Sequence, residues 1–110
     1  MRLNVLAAAL LLPLAASPAR AEEPQTFRLL LQGNRFEPAE VRVPAGARFL
    51  LVVRNADPAV AEFESAELRV ERVITAGRET TLRLGPLAPG RYPFMDEFHS
   101  DTAKGVLVAE

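Results

Sequence analysis

The chain contains no cysteine. No disulfide can staple it, and neither a cysteine nucleophile nor a metal thiolate is available to it. Other reactive groups are nearly as scarce. His99 is the single imidazole and Tyr92 the single phenol, and Met95 is the only methionine besides the initiator. Ser65 and Ser100 are not framed by Gly-x-Ser-x-Gly, so a hydrolase triad has no support. There is no glycine-rich phosphate loop and no dinucleotide-binding βαβ unit. An excess of positive charge is also missing, which argues against nucleic acid or an anionic membrane surface as the main partner.

The N-terminus reads as a leader. Met1-Arg2 is a short positive start, Val5 to Leu12 is apolar and uncharged, and Ala19-Arg20-Ala21 fits a small-x-small cleavage rule. The apolar run is too short to span a bilayer. Residues 1–21 are therefore expected to be an export signal cut after Ala21, with a destination that the signal itself does not specify further. Removing 21 of the 110 residues leaves 89. Of the 13 basic residues, Arg2 and Arg20 lie in the leader, so 11 face 14 acidic ones and the mature net charge is −3. That length suits one small domain over 22–110, held by packing alone unless a metal helps. It leaves little room for the sugar cleft that a pair of catalytic carboxylates would need.

The rest is written in short alternating runs. Thr26–Gln32 reads as a strand, Gly33-Asn34 breaks it, and Phe36-Glu37-Pro38 reads as a corner. Glu40–Val43 alternates cleanly, and Arg48–Asn55 is apolar on both faces and so expected to be buried. Glu62-Phe63-Glu64 reads as a short strand or extended loop, and Glu67–Arg72, helical by composition but also alternating, as an irregular strand pair with Val73-Ile74. Glu79–Leu84, Arg91–Met95 and Gly105–Val108 complete the set. Seven or eight strands with a turn signal between each predict an all-β Greek-key sandwich. Pro93, inside a strand, is expected at an edge or just before a bulge.

Chemistry concentrates in Tyr92-Pro93-Phe94-Met95-Asp96-Glu97-Phe98-His99. Period-2 alternation puts Tyr92, Phe94 and Asp96 on one side of the strand, and Pro93, Met95 and Glu97 on the other. Behind two inward aromatics, the Asp96 carboxylate must be paired, hydrogen-bonded or bound to a metal.

A sandwich with a Tyr-x-Phe strand, a ligand-rich loop and a final Lys104-Gly105-Val106-Leu107-Val108 strand resembles the cupredoxins. In that family the penultimate strand ends in a Cys, with a His three residues on, an axial Met after it and a first His much earlier. Here Asp96 stands at the Cys position and His99 at the later His. Glu62 falls about where the first His would be, and Thr102 and Lys104 stand where the axial Met would be. Blue copper needs a thiolate and two imidazoles, so a blue-copper electron carrier is rejected.

Glu62-Phe63-Glu64 together with Met95-Asp96-Glu97-Phe98-His99 resembles instead the EfeO-type cupredoxin-like domains that accompany bacterial iron permeases. That resemblance implies a periplasmic role in iron or copper handling, with a membrane iron permease and a periplasmic iron-binding protein as partners. The residues themselves make Glu62, Met95, Asp96, Glu97 and His99 the candidate metal ligands, gathered at one end of the sandwich. Carboxylates with one imidazole suit iron, manganese or Cu(II), and the thioether favours copper. Three roles stay open: oxidising or delivering iron, carrying a metal without catalysis, or a metal-free interaction module. Ligation by His99 would make affinity fall below the histidine range, near pH ~6.5.

Overall fold

The computed structural model describes residues 23–110, so the expected leader and its cleavage point lie outside the described residues. Among the described residues, nine strands form two sheets. The first holds β1 (Gln25–Gln32), β2 (Arg35–Glu37), β4 (Phe49–Asn55) and β7 (Glu79–Leu84), in the order β2-β1-β4-β7. The second holds β3 (Glu40–Val43), β5 (Ala61–Ser65), β6 (Val70–Ile74), β8 (Gly90–Asp96) and β9 (Lys104–Ala109), in the order β3-β9-β8-β5-β6. A 3-10 turn, Glu97–His99, joins β8 to β9.

The run that is apolar on both faces is β4, and it lies between β1, parallel to it, and β7, antiparallel. Its inward Phe49, Leu51 and Val53 are essentially sealed, and Val52 on its other face is covered as well. Between the sheets, Phe36 meets Phe63 and Phe94. Phe94 stacks on Phe63 with ring centres 5.2 Å apart, and Phe36 stands edge-on to Phe94 at 5.1 Å. Each such aromatic buries enough apolar area to contribute about 2–3 kcal/mol. The cluster lies under the end of the sandwich where β8 runs into the 3-10 turn.

Two local expectations are corrected. Phe36 is in a strand rather than a corner, because Gly33 and Asn34, at φ 62° and 55°, form a tight hairpin turn that brings Arg35–Glu37 back along β1. The Asp57 carboxylate fastens that turn by accepting from the Gly33 and Asn34 N–H groups at 2.6 and 2.9 Å. Glu67–Arg69 are turn rather than strand, with Arg69 at φ 57°, so β6 begins at Val70.

Pro93 sits in β8 with partners on one side only. β5 pairs with β8 at Phe63↔Asp96 and Glu64↔Met95 and then departs, so no ladder donor is needed from Pro93 on that side. Its carbonyl accepts instead from the Ser65 hydroxyl at 2.7 Å.

Candidate metal centre

Alternation along β8 does what the sequence requires: Phe94 and Asp96 are buried, and Met95 is exposed. Asp96 ends the strand and caps the 3-10 turn. Its Oδ1 accepts from the Glu62 N–H at 2.9 Å and the Phe98 N–H at 3.1 Å, and its Oδ2 lies 2.7 Å from Nδ1 of His99. Its own N–H donates to the Ala103 carbonyl at 3.0 Å. The side chain is 1% exposed, against 30% for His99. One carboxylate thus ties together β5, β8, the 3-10 turn and the imidazole. Of the three fates open to a buried carboxylate, this is hydrogen bonding. Asp96 is a positioning residue here, and it leaves Nε2 as the His99 nitrogen open to another group.

The candidate ligands do not gather around one point. Ala61, Phe63 and Ser65 face inward, so Glu62 and Glu64 must both face out. Glu62 reaches Asp96 only through its backbone N–H, and its side chain does not take the place of an inward first imidazole. Register places Glu71 opposite Glu64 on one side and Met95 opposite it on the other, with Lys104 beyond Met95. The outer face of the second sheet therefore carries Glu62, Glu64, Glu71 and Glu97, with the Met95 thioether beside them. None of the ion pairs among the described residues uses these four carboxylates. Sequence reasoning missed Glu71. The signal for it was present in the alternation of Val70–Ile74, but only the register reveals that it faces Glu64.

Crowding shows in their protonation. Partial burial, then hydrogen bonding and charge repulsion from Glu97, hold the Glu62 carboxyl above its ordinary 4.5, with smaller contributions from Glu71 and Glu64. Glu64 is raised by the same burial and by the charge and hydrogen bonding of Glu97, then by Glu71. A carboxyl with a raised folded-state pKa binds more protons folded than unfolded. Its stabilising contribution is therefore present at low pH and is lost as pH rises from 4.5 through the raised value. Glu97→Gln removes the main repulsive partner. In metal-free buffer it is expected to melt above the wild type at pH 7, with the gap closing as pH falls toward 4.5. Thermal melts across that range check it, and a lower melting temperature at pH 7 would contradict the crowding account.

The cupredoxin-like domain family matches residues 4–109 of this sequence. The chain belongs to that family. Protein RP394 of Rickettsia prowazekii (strain Madrid E) is 33% identical over 81 residues, which cover 74% of this chain. The match spans 65% of that protein's length, a little under two thirds.

Among solved structures, this domain is similar to the metal-binding domain of the Cu(I)-exporting P-type ATPase CopA of Streptococcus pneumoniae D39. The TM-score is 0.69 at 20% identity, covering 77% of this chain and 84% of that one. Auracyanin A, a blue copper protein of Chloroflexus aurantiacus, gives 0.68 at 14% identity, covering 80% and 100%. At these identities the likeness is one of fold. A blue-copper ion does not fit the residues of this cupredoxin-like domain. The strand end offers a carboxylate whose oxygens already face three donors, and one imidazole in place of two. Among the described residues no three His, Asp or Glu side chains stand in a ready-made ligand cage.

Proposed function

We propose that this cupredoxin-like domain is an exported carrier that takes up a copper or iron ion as cargo on the carboxylates of its outer face. Glu62 and Glu97 form the seat, and Glu64 and Met95 are within reach of it. The supporting observation is the convergence of Glu62, Glu64, Glu71 and Glu97 on one exposed sheet face, with no cationic side chain among the described residues paired to them. Carboxylates in that number attract a divalent ion, and the thioether adds a preference for copper. A half-exposed glutamate on the sheet and an exposed one in the adjoining turn make an open, exchangeable seat, which suits handing an ion on better than retaining it. Delivery of iron to a membrane permease, alongside a periplasmic iron-binding protein, is the role suggested by the resemblance of Glu62–Glu64 and Met95–His99 to EfeO-type domains.

Titration calorimetry with Cu(II) and with Fe(II) under anaerobic conditions tests the seat. Glu62→Gln and Glu97→Gln are each expected to weaken binding at least ~10-fold. The same titrations on His99→Ala, and from neutral to mildly acidic pH, decide whether Nε2 joins the carboxylates. Unchanged affinity in both glutamine variants would remove this seat.

A further inference from the structure

Where β5 leaves β8, the second sheet opens a notch. Strand pairing stops at Glu64↔Met95, and past Ser65 the chain turns away through Ala66. The cleft left behind has a volume of about 520 Å³, with Pro93, Phe94, Met95 and Ala66 as apolar lining and Glu64, Glu67 and Lys104 as its charged groups. That volume lies within the range of ligand-binding clefts. Met95 beside it is 37% exposed, and Val73, outward on β6, is 56% exposed.

An added β-strand cannot occupy the notch. Pro93 has no N–H to offer on the open edge of β8, and its carbonyl is already taken by Ser65. Recognition here must come from a side chain entering the cleft. The surroundings specify the charge of what carries it. Glu64 and Glu67 in the cleft are backed by Glu62, Glu71 and Glu97 on the same face, against Lys104 in the cleft and Arg69 nearby. The acidic groups outnumber the basic ones, and no ion pair among the described residues neutralises them.

We propose that the notch is a docking site for a segment of a partner protein that presents an aliphatic side chain between arginines or lysines. The aliphatic group fills the space over Phe94 and Met95. The cations lie against Glu64, Glu67 and Glu71, where complementary charge steers the encounter and selects against acidic segments. This inference does not depend on metal cargo and is tested without it.

The chain, treated with EDTA, is titrated with an end-blocked peptide of leucine flanked by arginines while backbone amides are followed by NMR. Shifts are expected at Ser65, Ala66, Met95, Lys104 and Gly105, weakening as salt rises. A peptide with serine for leucine, and one with glutamate for arginine, are expected to leave them unmoved. Glu64→Gln combined with Glu67→Gln should weaken binding about three- to tenfold. Ala66→Trp, at an exposed turn position, should abolish it with an unchanged melting temperature. The proposal is overturned if the leucine peptide moves no amides around the notch. Equal binding of the serine peptide, or undiminished binding to a folded Ala66→Trp, overturns it as well.

Discussion

Asp96→Ala is expected to cost about 3–5 kcal/mol, a large part of the stability of a domain this size. The substitution removes no apolar contact of consequence. Its cost comes from the donors left behind: the Glu62 and Phe98 N–H groups, which share Oδ1, and the His99 ring nitrogen on Oδ2. Asp96 is sealed from solvent, so water cannot substitute without opening the end of the sandwich. Asp96→Asn keeps an oxygen at the Oδ1 position and, if its amide is oriented so, offers an N–H toward an unprotonated Nδ1. It should cost only about 1 kcal/mol. Urea unfolding of both variants, in the presence of EDTA, separates this role from ligation. If Asp96→Ala unfolds at the wild-type midpoint without metal, the carboxylate is not the tie described above.

The inward half of this arrangement was legible in the sequence. Tyr92, Phe94 and Asp96 alternate with Pro93, Met95 and Glu97, and two aromatics ahead of an aspartate left the carboxylate no route to water. The outward half was not legible. Glu62-Phe63-Glu64 has one apolar residue between two acids, which fits a strand of either orientation until Phe63 is seen to stack on Phe94. Glu71 lies in a stretch whose composition suits a helix as well as a strand, and only pairing with β5 brings it to Glu64. The strand β2 was hidden for another reason. Its three residues carry too little periodicity to register, and its existence depends on the positive φ angles of Gly33 and Asn34. A single parity divides the candidate ligands between the two faces of the second sheet. A sheet cannot point Glu62 and Phe63 to the same side, so committing the aromatic to the core sent the glutamates outward, away from Asp96 and toward Glu97.

That same parity makes the position of Phe94 consequential on both faces, and it gives the second large effect. Gly105→Ala is expected to destabilise the domain by about 3 kcal/mol. Gly105 pairs with Phe94 across β8 and β9, and the ring lies directly over it. A Cβ there would run into Cζ of Phe94, stand 2.5 Å from its Cε2 and come within 2.8 Å of the Ala39 carbonyl oxygen. That oxygen cannot move freely, because it accepts the Val106 N–H at 2.9 Å and so holds the start of β9. The ring is held as well, between Phe63 and Phe36. The methyl group must therefore displace either an aromatic cluster or a strand. The backbone at Gly105 is not left-handed, so a double-mutant cycle isolates the clash from any conformational cost of alanine. Phe94→Leu combined with Gly105→Ala should lose less stability than the two changes added separately, by about 1 kcal/mol or more. The contact to Ala39 persists in the double variant, so the rescue stays incomplete. Strict additivity in urea midpoints would mean that the ring does not rest on Gly105. The placement of Phe94, and with it the setting of Met95 beside Glu64, would then need another cause.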